Sequence, residues 1–260
     1  MSKEKSENAI SEKENTSVAV PSAFIEDANS GLETLTAEDI TIPRLKVLQA
    51  MSPEVMKSDG KYVEGASAGD IINTVTGKLY TNDNPLVALP VAYKRLFLEW
   101  GPRESGGGLV AQHDDASILS KTTKDNMGRD MLENGNYIQT SATHFVLSLN
   151  EDGSYDSAMI AMAGTQLKKS RTWNSVMASI KMRSGDKVFT PASFSHKYVM
   201  KTKAESNDRG TWFGWNITLD GPLGEDEMFF YQAAKDFAST VGEVNLSQSN
   251  DNESTSEAPF

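Results

Sequence analysis

Residues 196–219 read HKYVMKTKAESNDRGTWFGWNITL and carry the clearest structural pattern of the chain. Tyr198, Met200 and Thr202 alternate with lysine or valine, which is the two-residue period of a strand that buries one face. Ser, Asn, Asp and Gly at 206–210 favour a turn, and a second strand-like stretch with three aromatic residues follows it. This stretch therefore predicts a β-hairpin that combines cations with aromatic rings.

Further strands and helices are predicted outward from this hairpin. Strand-like stretches lie at 69–74 and 86–100, and those at 142–150 and 154–163 predict a hairpin through the turn-forming residues 150–153. Helix-like stretches lie at 166–182, where Trp173, Val176 and Met177 share one face, and at 225–241. Pro85 and Pro90 indicate that the long strand lies at a sheet edge or contains a bulge. Residues 101–136 are polar and glycine-containing, which predicts a long loop. The pattern favours a mixed β-rich (α+β) fold, an OB-fold-like Greek-key β-barrel core with added helices and long loops.

Charge divides the chain into three parts. Acidic side chains outnumber basic ones by 9 to 3 in residues 1–40 and by 4 to none in residues 241–260. Between these ends the balance is nearly even, with 22 basic and 23 acidic side chains. We therefore predict a disordered acidic arm over 1–39, a single OB-like nucleic-acid-binding domain over 40–241 and a disordered acidic tail over 242–260.

Composition argues against several classes of protein. The chain has no cysteine, which excludes disulfides, thiolate metal sites and a cysteine nucleophile. No apolar run approaches the ~20 residues that span a bilayer, and the first residues carry no apolar signal segment. The histidines His113, His144 and His196 show no metal-binding spacing, and no nucleotide-loop or nucleophile motif occurs. We expect a cytoplasmic protein that is not an enzyme and has no cofactor or metal.

Basic residues concentrate in one segment of the otherwise acidic chain. Residues 165–209 hold ten basic and three acidic side chains, as expected of a polyanion-binding surface. Single-stranded DNA is bound by cations that meet phosphates and by aromatic faces that stack on bases. Each aromatic residue could instead belong to the core, and this alternative stays open here. The candidate DNA contacts are Tyr80, Tyr93, Lys94, Arg95, Lys168, Lys169, Arg171, Trp173, Lys181, Arg183, Lys197, Tyr198, Lys201, Lys203, Trp212 and Trp215.

The acidic tail ends in an exposed aromatic residue. The last residues are Glu257-Ala258-Pro259-Phe260, so an apolar ring lies beside a free carboxylate on a polar tether. Such an end is suited to capture in a partner's pocket with a basic rim. The same tail could lie over a basic DNA groove when DNA is absent. Glu257, Pro259 and Phe260 are the candidate partner-binding residues.

This ending resembles the tails of bacterial and phage single-stranded DNA-binding proteins, which finish in an acidic stretch with a terminal Phe. IPRLKVLQ at 42–49 and GDIINTVTG at 69–77 resemble a group of phage early proteins associated with replication and recombination. Size and tail are similar to the single-stranded DNA-binding proteins of lytic podophages of the Schitoviridae type. The resemblance implies a protein of the infected bacterial cytoplasm that coats replicating DNA, assists recombination and activates host RNA polymerase at late promoters.

Three other functions compete with sequence-tolerant single-stranded DNA binding. A phage protein-interaction or regulatory module would bind partners without binding DNA. A strand-annealing recombination protein would use the same surface and form rings or filaments on DNA. A nuclease would use acidic loop residues with a divalent cation.

Overall fold

The computed structural model describes residues 21–35, 39, 41–102, 106–208 and 210–241. The chain divides into two units, residues 1–36 and 37–260. The described part of the first unit holds one short helix, α1 (Ser22–Glu26), which buries none of its side chains. Residues 1–20 of the predicted arm and the whole predicted tail, 242–260, lie outside the described residues. The disorder of both ends stays a prediction.

The second unit is rich in short strands. Its strands are β1 (Leu45–Val47), β2 (Ile71–Asn73), β3 (Leu79–Tyr80), β4 (Leu86–Trp100), β5 (Leu109–His113), β6 (Thr123–Lys124), β7 (Asp130–Met131), β8 (Tyr137–Leu149), β9 (Tyr155–Ala163), β10 (Met182–Ser184), β11 (Lys187–Phe189), β12 (His196–Asn207) and β13 (Gly210–Pro222). Its α-helices are α2 (Leu167–Ser179) and α3 (Met228–Thr240). Across the described ranges, no helix combines the length and the apolar character needed to cross a membrane.

The main sheet is antiparallel and has a Greek-key order. β4 pairs with β8, β8 pairs with β9, and β12 returns to lie beside β4 with β13 on its outer side. The small sheet β1-β2-β3 and helix α2 belong to the same unit, and both β1 and α2 contact β9 and β13. The sheet therefore curls into a half-barrel whose open side is spanned by β1 and α2. The predicted β-rich, OB-like α+β fold is confirmed.

Apolar side chains cover both faces of the main sheet. One face packs against α2 and β1–β3 through a cluster that includes Leu86, Ala88, Val146, Ile160, Trp173, Tyr198, Met200 and Trp215. The opposite face packs against α3 through a cluster that includes Leu89, Phe145, Leu147, Met159, Phe230 and Ala234. Phe145 and Val146 show the alternation directly, because neighbouring residues of β8 belong to different clusters. Because each face of the sheet is covered by one of these clusters, few rings of the hairpin reach solvent.

The predicted hairpins and helices are confirmed. β8 and β9 form the first hairpin, β12 and β13 form the second, and α2 and α3 occupy the two helical stretches. The long strand β4 is central and not an edge, and its register against β8 shifts between Pro90 and Ala92. Proline has no N–H to donate to a ladder, so the bulge allows Pro90 to lie inside the sheet.

The predicted long insertion or loop over 101–136 is interrupted by three short strands, β5, β6 and β7, in its described part. A buried carboxylate organises this insertion. Glu99 of β4 accepts a hydrogen bond from Nδ2 of Asn136 at 2.5 Å and contacts Nε2 of His113 at 2.9 Å. The Asn136 hydrogen bond is the largest influence on the pKa of Glu99 and helps to hold it below its usual range. Composition alone gave no signal for this cluster, because its residues are distant from one another in the sequence.

Candidate nucleic-acid interface

Most of the predicted aromatic contacts lie in the core. The structure buries five of the six rings: Tyr80, Trp173, Tyr198, Trp212 and Trp215. Only 1% of the surface of Tyr198 and 2% of that of Trp173 is exposed, so neither ring presents a free face to a base in this conformation. The physical reason is that both faces of the main sheet are covered. Tyr93 is the exception, with 38% of its surface exposed.

A ladder of rings connects Tyr93 with the core under α2. The ring of Tyr93 lies 5.0 Å from that of His144, and His144 stacks on Trp173 at 4.4 Å. Trp173 meets Tyr198 edge to face at 5.6 Å. Nε2 of His144 is hydrogen-bonded to Oγ of Ser170 at 2.8 Å, and burial lowers the pKa of His144 to about 3. The histidine is therefore neutral and fixes α2 on the sheet.

Several predicted cations are already engaged with protein groups. Nζ of Lys197 lies 2.6 Å from a carboxylate oxygen of Glu227 and links β12 to the start of α3. Lys169 forms an ion pair with Glu205, whose Oε1 also lies 3.7 Å from Nζ of Lys203. These pairs reduce the charge that the lysines can offer to a phosphate.

Two further cations belong to the segment after α2. Nζ of Lys181 donates to the carbonyl of Ala178 at 3.2 Å and to Oγ1 of Thr190. Nε of Arg183 donates to the carbonyl of Gly185 at 2.8 Å. Lys181 thus fixes the chain as it leaves α2, while Arg183 stays exposed.

Other predicted or nearby cations have no such partner among the residues that the structure describes. Within the described part of the chain, no ion pair or side-chain hydrogen bond engages Lys94, Arg95, Lys168, Arg171, Lys187 or Lys201. Lys168 and Arg171 are exposed neighbours on α2, three residues apart on one side of the helix. Arg95 shares the face of β4 that carries Tyr93, whereas Lys94 points to the opposite face. These side chains can reach a polyanion without breaking a protein contact.

A groove between α2 and the β12–β13 hairpin gathers part of the predicted site. Its volume is about 520 Å³. Six of the sixteen predicted DNA contacts line it: Lys168, Lys169, Trp173, Tyr198, Lys203 and Trp215. Gly214 leaves room for the side chains of Glu205 and Gln166 beside β13, because a Cβ there would lie 2.6 Å from Oε2 of Glu205 and 3.1 Å from Nε2 of Gln166. Tyr80, Tyr93, Lys94, Arg95, Arg171, Lys181, Arg183, Lys197, Lys201 and Trp212 lie outside the lining.

The sequence interpretation missed a projecting hairpin directly after α2. β10 and β11 pair only with each other among the described strands, and every residue from 181 to 190 is exposed. We call residues 182–189 the β-finger. Phe189, with 38% of its surface exposed, and Lys187 lie on one side of it by strand alternation. The Ser184-Gly185-Asp186 turn was the available signal, since Gly185 has a positive φ of 57°.

The chain matches one protein family over residues 12–246, the family described as Pam3 phage gp34-like protein. This chain belongs to that family. The family match thereby confirms the phage origin that the sequence resemblance implied. No curated protein and no solved structure matches the chain.

Two parts of the predicted site stand apart from this geometry. The tail residues Glu257, Pro259 and Phe260 of the Pam3 phage gp34-like chain lie outside the described residues. Among the residues that are described, no group of three or more His, Asp or Glu side chains is placed to hold a metal ion.

Proposed function

We propose that this Pam3 phage gp34-like protein binds single-stranded DNA with little sequence preference and protects it during phage DNA replication and recombination. The groove carries this proposal, because Lys168 and Lys169 of α2 and Lys203 of β12 line it together. Only Glu205 opposes these three lysines within the lining. Such a local excess of positive charge suits a strand of phosphates.

Exposed cations extend this surface beyond the groove. Lys168 and Arg171 lie along α2, and the β-finger follows it with Arg183, Lys187 and the exposed ring of Phe189. A single strand that follows α2 toward the β-finger would meet cations for its phosphates and an aromatic face for a base. Lys168, Arg171, Lys187 and Phe189 are therefore the proposed DNA contacts along α2 and the β-finger. Tyr93 and Arg95 on β4 offer a second ring with a cation beside it.

The proposed activity requires no chemical step. The protein would hold the strand, cover its bases and keep nucleases away, so it acts without a cofactor and not as an enzyme. We further propose that the acidic C-terminal tail recruits replication, recombination or transcription proteins, including host RNA polymerase for late transcription. An acidic tether with a terminal Phe supports this role, since a basic-rimmed pocket could hold both its ring and its carboxylate.

The test uses fluorescence anisotropy of a labelled oligo(dT), compared with a labelled duplex at several salt concentrations. A label on the DNA is needed because Trp100, Trp173, Trp212 and Trp215 are all buried, so stacking by the β-finger would leave their emission unchanged. We expect tight, salt-sensitive binding of the single strand and weaker binding of the duplex.

Other results would favour the rival functions. Absence of binding to either DNA would leave a protein-interaction or regulatory module. Cleavage of the oligonucleotide with Mg²⁺ would indicate a nuclease. Rings or filaments that accelerate pairing of complementary strands would indicate a strand-annealing protein.

A further inference from the structure

Two side chains that line the groove carry a buried polar atom without a hydrogen-bond partner. They are Trp173, through its indole Nε1, and Tyr198, through its hydroxyl, and neither atom has a partner among the described residues. Buried polar groups are normally paired, and leaving one unpaired destabilises the fold. Two such groups in the lining of one groove point to a ligand that supplies the missing partners.

The remaining lining specifies the chemistry of that ligand. Lys168, Lys169 and Lys203 favour an anionic group, although Glu205 offsets part of their charge. Val176 and Ile217 provide apolar walls that suit a flat ring. The indole N–H of Trp173 can only donate, so the ring must carry a hydrogen-bond acceptor.

The Tyr198 hydroxyl can take either role toward the same ring. Burial raises the pKa of Tyr198 to about 12, so the hydroxyl stays protonated and can both donate and accept. The groove volume of about 520 Å³ falls within the range of small-molecule pockets.

We infer that the groove binds one nucleotide unit. The base lies between α2 and β13 against Val176 and Ile217, with its acceptors toward Trp173 and Tyr198, and the phosphate meets the lysines. The choice of a nucleotide over another ring-bearing acid rests on the proposed function. The indole nitrogen of Trp173 and the hydroxyl of Tyr198 are closed to solvent, so entry of the base requires a small shift of these two side chains. That shift should change the tryptophan emission.

The full chain is titrated with thymidine 5′-phosphate, and binding is followed by tryptophan fluorescence and by calorimetry. Trp173 and Trp215 both line the groove, so we expect saturable quenching. Deoxyribose 5-phosphate should bind more weakly, because it lacks the base. Equal binding of both compounds, or of inorganic phosphate, would overturn the inference and leave an anion site.

Two variants test the position of the nucleotide. Tyr198→Phe should weaken thymidine 5′-phosphate binding about fivefold, the value of one net hydrogen bond. Its free energy of unfolding should stay equal or rise, because the hydroxyl has no hydrogen-bond partner among the described residues. Thr172→Trp places a large ring in the groove from an exposed position on α2 and should abolish binding. Tyr155→Phe, which removes an exposed hydroxyl on β9, is the matched control and should bind normally.

The outcomes separate this inference from the proposed function. Binding of oligo(dT) in the anisotropy assay without any response to thymidine 5′-phosphate would overturn the nucleotide groove alone. Saturable nucleotide binding without oligo(dT) binding would support the groove and remove the proposed function. Quenching by a peptide of residues 250–260, with none by the nucleotide, would overturn the inference in favour of the chain's own C-terminal segment.

Discussion

The imidazole of His144 stacks on the indole of Trp173, with ring centroids 4.4 Å apart and 28° between the ring planes. This contact joins the central strand β8 to α2, the helix that forms one wall of the groove. The imidazole is neutral in the fold because burial lowers its pKa to about 3. The position of α2, and with it the groove, therefore depends on an uncharged histidine.

This relationship predicts that stability falls as the pH decreases. The unfolded chain binds a proton at His144 below about pH 6.5, whereas the folded chain does so only near the lowered pKa. The free energy of unfolding should fall over that interval by up to about 1.4 kcal/mol per pH unit. Urea denaturation between about pH 6.5 and about pH 5 measures this slope above the usual range of carboxyl groups.

His144→Phe should flatten the slope, since it keeps a ring on Trp173 but cannot take up a proton. Burial also lowers the pKa of His196, so a smaller slope should remain in this variant. His196→Phe is the matched control. An unchanged slope in His144→Phe would mean that protonation of this histidine does not cause the pH dependence of the free energy of unfolding.

The ring of Phe189 on the β-finger should contribute directly to DNA affinity. Phe189→Ala should weaken oligo(dT) binding by about 1–3 kcal/mol, the range for one stacked base. The thermal midpoint should change little, because the ring is exposed and outside both cores. Val188→Ala removes an exposed apolar side chain from the other side of the β-finger and should leave affinity unchanged. Equal losses in both variants would argue against stacking.

Glu205 should restrain DNA binding by occupying the groove lysines. Burial raises its pKa, but the hydrogen bonds from Lys169 and Trp212 and the charges of Lys169 and Lys203 together outweigh this and keep the pKa below its usual range. Glu205→Gln removes the charge while preserving an acceptor for Nε1 of Trp212, which lies 3.1 Å from Oε2. We expect higher oligo(dT) affinity with a steeper salt dependence, measured by anisotropy. Glu133→Gln makes the same charge change at an exposed site, and an equal gain there would indicate a net-charge effect.

The C-terminal tail should affect partners more than DNA. Deletion of residues 250–260 removes the candidate tail residues Glu257 and Phe260 together with two further acidic side chains, Asp251 and Glu253. We expect oligo(dT) affinity to stay equal or rise and binding of replication or transcription proteins to be lost in pull-down assays. Phe260→Ala in the full chain should reproduce the partner defect alone. A large loss of DNA affinity on deletion would contradict this role.

Much of the fold was predictable because it rests on local signals. The β12–β13 hairpin follows from the alternation at Tyr198, Met200 and Thr202, and α2 follows from the spacing of Trp173, Val176 and Met177. The bulge at Pro90 was predictable as one of two options, since proline restricts only the local ladder.

Burial of the candidate rings was not predictable, because it depends on which face another element covers. Trp212 and Trp215 point to opposite sides of β13, and only the complete fold shows that other parts of the chain cover both sides. The pairing of Lys169 with Glu205 joins residues 36 positions apart and was equally hidden. The β-finger that carries Phe189 was missed because β10 and β11 are only three residues long, too short to show a strand pattern in the sequence.

The most direct test of single-strand binding at this surface is the salt dependence of oligo(dT) affinity. It is measured for the wild type, for Lys168→Ala with Arg171→Ala, and for the control pair Lys57→Ala with Lys235→Ala, which are exposed lysines outside the groove lining. Each lost phosphate contact should lower the slope of log affinity against log salt by about 0.7. We predict weaker binding and a slope reduced by about 1.4 in the α2 variant only. An unchanged slope in that variant, or an equal change in the control, would contradict DNA binding along α2.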